Sequence, residues 1–169
     1  RGDFLTETGF VPKARYMMRA LELAAQAAAM GEVPVGAVVV QKSTGRIIGE
    51  GYNRREADRS PLAHAEIMAI DAASRTLGGW RLLDSALYVT LEPCPMCAGA
   101  ILHARLEQVV YGTADPKGGA VDSVEQLFAL PYNWTPEVHA GLLQAECAQI
   151  LRGFFFRGNF RLKKSRRKK

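Results

Sequence analysis

The stretch ALYVTLEPCPMCAGAILHARLEQVVY, residues 86–111, decides the fold. Residues 86–91 read as a strand, residues 95–106 as a helix and residues 107–111 as a second strand. Strand, helix and strand at this spacing imply parallel strands joined by a crossover helix, the unit of an α/β domain. The junction inside the unit is Pro93-Cys94-Pro95-Met96-Cys97. Proline is tolerated at a first helical position, and a spacing of three returns the second sulfur close to the first. The two thiols therefore meet at a helix N-terminus, where amide N–H groups and the helix dipole favour thiolate.

Toward the N-terminus, residues 62–77 are apolar almost all round and stop at Gly78-Gly79, which predicts a helix buried against a sheet. Near its start stands His64-Ala65-Glu66. Two residues apart inside a helix, these side chains would lie about 200° around from each other. At the first turn they lean toward the N-terminus, so both can reach a point just beyond the helix. A polar loop, residues 52–61, precedes them and holds Asn53, Arg54 and Arg55. Before it, residues 35–40 and 46–51 read as a hairpin about Ser43-Thr44-Gly45, and residues 14–30 as a packed helix ending at Gly31. Toward the C-terminus, a glycine-rich loop over residues 115–119 leads to a helix predicted from Asp122 or Ser123 to Leu130. Ser123 and Gln126 supply its capping-box pattern, and Pro131 lies beyond its end. A short strand near Val138 and a last helix over about residues 142–156 complete a three-layer α/β domain.

At 169 residues, 48% of them hydrophobic, the chain suits one domain with a substantial core. Residues 1–13 are set apart as an N-terminal extension, residues 14–157 form the domain, and residues 158–169 are a basic tail. Residues 161–169 carry seven positive charges and no acid, so the net +5 of the whole chain leaves −2 for the rest. Charge alone favours a solubilising end over a nucleic-acid contact. Three cysteines are too few for a disulfide framework, and two of them have metal-type spacing, which points to a reducing compartment and by default the cytoplasm. No apolar run approaches the roughly 20 residues of a membrane span.

His64, Cys94 and Cys97 supply three soft or borderline metal ligands, and Glu66 a carboxylate not needed as a fourth. This order, histidine, nearby glutamate, then Pro-Cys-x-x-Cys, is the established signature of zinc-dependent nucleobase deaminases. A structural zinc closes with four protein ligands, whereas a catalytic one keeps three and leaves a position for water. His103 lies six residues beyond Cys97, about 240° around the same helix. His139 has no partner motif, and Cys147 sits in an apolar helix, where a free cysteine is usually a small buried hydrophobe. One Zn2+ per subunit, open to water, is therefore expected. Such an ion brings its water to a pKa of about 7, so that hydroxide exists at neutral pH, and Glu66 can carry the water proton to a leaving amine. The competing reading of Glu66 is a carboxylate favoured by a helix dipole, worth about 0.3–1 kcal/mol.

The motif does not choose the base. The surrounding residues do so by likeness: Glu32-Val33-Pro34-Val35-Gly36-Ala37, Gly51-Tyr52-Asn53-Arg54, Ala63-His64-Ala65-Glu66-Ile67-Met68-Ala69, residues 87–100, Glu146-Cys147 and Phe155-Phe156-Arg157. From residue 20 to 156 the chain resembles the bacterial-type tRNA adenosine deaminases of the cytidine/deoxycytidylate deaminase superfamily. The resemblance implies a three-layer α/β/α fold with a central mixed five-stranded sheet. It implies conversion of the wobble adenosine of a tRNA anticodon loop to inosine, by zinc-hydroxide attack on C6, in a homodimer whose partner is the anticodon stem-loop.

Carried over by position, His64, Cys94 and Cys97 match the zinc ligands and Glu66 the proton shuttle. Asn53 matches a base-contacting asparagine, Val35 and Leu91 wall the base, and Asp115 matches a loop aspartate near the RNA path. Asn53 also reads as a turn residue, and Val35 and Leu91 as strand core. Two departures stand out: Gly158-Asn159 is a candidate break before the tail, and Pro116 follows the loop aspartate. The resemblance reverses the reading of the tail in favour of phosphate contact. The rivals are a deaminase of a free base or nucleoside, such as cytosine or guanine, and a non-catalytic zinc-stabilised RNA-binding module with Cys147 as fourth ligand.

Overall fold

Apolar side chains alternate along the central strands, so the sheet builds a core on each face. The computed structural model describes residues 8–166, with side chains through residue 157. Its elements run α1 (Ala14–Ala29), β1 (Gly36–Gln41), β2 (Arg46–Tyr52), α2 (Ala65–Leu77), β3 (Ser85–Leu91), α3 (Pro95–Ala104), β4 (Gln108–Thr113), β5 (Glu137–Ala140) and α4 (Gln144–Arg166). The strands form one five-stranded sheet in the order β2-β1-β3-β4-β5. Val39, Leu87, Val89 and Val109 face Ala65, Ala69, Ala98 and Ile101 of α2 and α3. Val38, Val40, Tyr88 and Val110 face Met17, Ala20 and Leu23 of α1 and Cys147 of α4. The result is the three-layer α/β/α arrangement with a mixed sheet.

The crossover unit of residues 86–111 forms as expected: β3 and β4 are parallel, joined by α3, and β4 and β5 are parallel too. Parallel pairing stops there, because β1 runs antiparallel to both β2 and β3. The helix α2 crosses β2 closely enough that a Cβ on Gly51 would lie 2.3 Å from the carbonyl oxygen of Ala65 and 2.7 Å from the amide nitrogen of Ala69. Glycine at 51 therefore sets how near the first turn of α2 comes to the sheet.

Three expectations need correction. The helix of residues 62–77 starts at Ala65, because residues 61–64 turn into it with His64 as an extended N-cap at φ −79 and ψ 152. The helix expected from Asp122 or Ser123 to Leu130 is replaced by turns and a three-residue 3-10 segment, Leu127–Ala129. Its capping residue is used elsewhere: the Ser123 hydroxyl and the amides of Val121, Asp122 and Ser123 all donate to the carboxylate of Glu92. The candidate break at Gly158-Asn159 does not occur, since α4 continues to Arg166. A single glycine costs a helix only about 1 kcal/mol.

Of the extension over residues 1–13, residues 1–7 lie outside those described. Beyond them Phe10 packs against the core, with its ring 5.1 Å from that of His139. Residues 167–169 of the tail also lie outside. Among the described residues, no helix is long and apolar enough to cross a membrane.

Candidate metal centre and substrate cavity

Two helices begin at the same place. Cys94 is the N-cap of α3, with Pro95 in the first turn, and His64 is the N-cap of α2. An N-cap side chain lies outside the helical cylinder, so both reach the space in front of the helix ends, and Cys97 comes up one turn behind Cys94. The Nδ1 of His64 stands 3.6 Å from the sulfur of Cys94 and 3.6 Å from that of Cys97. All three ligand atoms lie within 4.8 Å of one another.

These distances test the fit to zinc. With Zn–S about 2.3 Å and Zn–N about 2.0–2.1 Å at a tetrahedral angle, the nitrogen and sulfur would be about 3.6 Å apart. The donor set has the spacing that a tetrahedral zinc requires. Among the described residues no fourth ligand joins it. Cys147 is buried on the opposite face of the sheet, and His139 is hydrogen-bonded to Glu137. His103 lies in the last turn of α3, away from the N-terminal end that holds the cysteines.

Electrostatics prepare the same three groups. The Cys94 thiol is brought down to about 4, chiefly by the hydrogen bond from the Cys97 thiol and then by that from His64. Cys97 is correspondingly raised, because its proton is held against the Cys94 sulfur. His64 is raised by its hydrogen bond to Cys94. Without metal the trio holds protons between a thiolate and its neighbours, and a divalent cation replaces them with a single centre of charge.

Glu66 is the second residue of α2 and only 4% exposed. Burial lifts its carboxyl to about 7, against hydrogen bonding from its own amide. It therefore stands near neutrality beside the ligands, where a proton carrier has to be poised.

The ligands open onto a cavity of about 610 Å³. Val35 at the entry to β1 and Leu91 at the end of β3 form apolar wall, and Asn53, His64, Glu66, Cys94 and Asp115 also line it. The structure thus gathers every predicted site residue there except Cys97, which lies buried beneath. The Asn53 amide donates to the carbonyl of Val33 at 3.1 Å and accepts from the amide of Arg55 at 3.2 Å. One hydrogen and one lone pair are left for a ligand. Asn53 thus makes the turn and keeps half its amide uncommitted. The Asp115 carboxylate accepts from the amides of Lys117 and Gly118, so it shapes its own loop at the cavity rim.

The cavity also includes residues that the sequence reading did not select: Arg55, Glu92, Leu151 and Phe155. Leu151 and Phe155 are one turn apart on α4, and Phe155 is 52% exposed. An apolar pair at that spacing, running into Phe154-Phe155-Phe156 just before the basic tail, was the available signal.

The family description "Cytidine and deoxycytidylate deaminase zinc-binding region" matches residues 12–113. The tRNA-specific adenosine deaminase of Haemophilus influenzae is 51% identical over 141 residues, which cover 82% of this chain and 81% of that protein. A solved structure from a study of A-to-I editing by tRNA:A34 deaminases at the wobble position is 45% identical. It has a TM-score of 0.79 and covers 82% of this chain and 100% of that one. Guanine deaminase from Bacillus subtilis is 40% identical with a TM-score of 0.57, covering 62% of this chain and 66% of that chain.

Proposed function

Since the chain belongs to the tRNA-specific adenosine deaminases of the cytidine and deoxycytidylate deaminase family, we propose that it converts the wobble adenosine of a tRNA anticodon loop to inosine. The observation that carries the chemistry is the three-ligand set of His64, Cys94 and Cys97 at the floor of a cavity, with buried Glu66 beside it. Zinc bound there supplies an activated water. Glu66 accepts the water proton and delivers it to the amine that leaves C6. A C–O bond forms, the C6–N6 bond breaks, and adenosine plus water become inosine plus ammonia. Its buried position beside the ligands makes it the group placed to take up that proton and hand it on.

The remaining residues bind and orient. Val35 and Leu91 supply apolar walls for the flipped base, and the uncommitted hydrogen and lone pair of Asn53 suit a purine edge. Asp115 shapes the loop that borders the RNA path. A single-stranded anticodon loop makes extrusion of the base cheap. In this reading residues 14–157 form the deaminase domain and the basic residues of 158–169 contact phosphate. Homodimer formation rests on the resemblance of the sequence. Cytoplasmic location rests on thiols that must stay reduced to bind zinc.

The test is incubation of the zinc-loaded protein with an anticodon stem-loop bearing adenosine at the wobble position, with free adenosine, cytidine, cytosine and guanine as controls. Inosine in the stem-loop alone is expected. Turnover of free guanine or cytosine with an unchanged stem-loop would replace this reading by that of a free-base deaminase.

A further inference from the structure

The carboxylate of Glu92 is 2% exposed, carries no countercharge in an ion pair among the described residues, and is not needed for the chemistry. Five donors nevertheless converge on it. Oε1 accepts from the amide of Asp115 at 3.1 Å and the hydroxyl of Ser123 at 2.5 Å. Oε2 accepts from the amides of Val121, Asp122 and Ser123 at 3.2, 2.9 and 3.0 Å. These amides form a concave anion-binding nest, filled by the protein's own carboxylate. The space for it is made at Gly119, where a Cβ would lie 2.2–2.4 Å from the three carboxylate atoms.

The tie joins two parts of the site. Glu92 stands between Leu91, a cavity wall, and Pro93-Cys94, the start of the ligand helix. The loop it grips runs from residue 114 to 123 and contributes Ala114, Asp115, Pro116 and Lys117 to the rim. Beside it the loop is tied by the amide of Ala120, which donates to the carbonyl of Pro93 at 2.9 Å, and by the Tyr111 hydroxyl, which donates to the carboxylate of Asp122.

We propose that Glu92 is a positioning residue that sets the rim loop of residues 114–118 at a fixed distance from the metal ligands, and so governs how RNA is seated in the cavity. The inference rests on the tRNA deaminase reading above. It is separable from that reading because Glu92 acts on binding, not on the proton transfer.

Glu92→Gln isolates the effect. With its oxygen turned to the three amides of 121–123, the new amide nitrogen can still donate to the Ser123 hydroxyl. It then meets the Asp115 N–H donor to donor, so only the link to the rim is lost. The experiment compares wild type, Glu92→Gln and Ser123→Ala, each zinc-loaded, on the anticodon stem-loop. It reads zinc content, kcat and KM separately. Glu92→Gln is expected to keep one zinc, to hold kcat within about twofold, and to raise KM roughly ten- to 150-fold, the effect of one hydrogen bond to a charged group. Ser123→Ala should move KM the same way by less, and decides the matter if Glu92→Gln does not fold. Unchanged KM in the folded variants, or loss of zinc and kcat with KM unmoved, overturns the proposal. An inactive wild type overturns the deaminase reading instead.

Discussion

Replacing Glu66 by glutamine keeps the volume and the buried position but removes the group that takes up and gives back a proton. As second residue of α2, Glu66 would also interact with the helix dipole, an effect of about 0.3–1 kcal/mol or roughly two- to fivefold. A general acid–base role is worth about 10²–10⁴-fold, which is roughly 2.7–5.5 kcal/mol of barrier. The two ranges do not overlap, so the size of the loss identifies the role. The geometry favours the larger value: the carboxyl is 4% exposed, so solvent has little room to replace it as a proton carrier. The assay is single-turnover inosine formation in the stem-loop, with zinc measured on the same preparation. Glu66→Gln should retain its zinc and lose at least about a hundredfold in rate. A loss under fivefold, or loss of the zinc, would refute the assignment.

Other outcomes follow from the packing. Gly51→Ala forces a Cβ to 2.3 Å from the Ala65 carbonyl, so denaturant unfolding should register about 1–3 kcal/mol of destabilisation, and zinc should bind more weakly as His64 moves with α2. Burial pushes the Cys147 thiol up to about 12, so a thiol reagent at pH 8 should fail to label it until the protein is unfolded. The sign of its pH effect is fixed. Below the unfolded thiol value of about 8.5 both states hold the proton, and above it only the unfolded chain releases it, so this residue costs stability as pH climbs toward 12. Cys147→Ala should lessen that alkaline loss and keep one zinc per chain, whereas loss of the metal would favour a closed four-ligand site. Removing residues 161–169, with their seven positive charges, should flatten the salt dependence of stem-loop affinity, each lost phosphate contact taking about 0.7 from the log–log slope.

The metal centre was legible in sequence because its geometry is local. Cys94 and Cys97 are one turn apart at a helix start, and His64 caps a second helix, so spacing alone implies that each side chain points beyond a helix end. The crossover of residues 86–111 was legible for the same reason. What distance in sequence obscured was tertiary. The direction of β1 against β3 depends on pairings such as Val39 with Leu87, which no local spacing encodes. The helix expected at residues 122–130 failed because Glu92, 31 residues away from Ser123, takes the serine that would have capped it. Leu151 and Phe155 fall within the last helix expected, and only the placement of α4 beside the cavity makes them part of its wall. The choice of base was not local at all and came from likeness over most of the chain.

The most direct test of the account is one measurement: the nucleotide at the wobble position of an anticodon stem-loop after incubation with the zinc-loaded protein. Adenosine there is expected to become inosine with one zinc bound per chain, and to stay adenosine after the metal is removed. An unaltered adenosine with the zinc in place would contradict the deaminase reading.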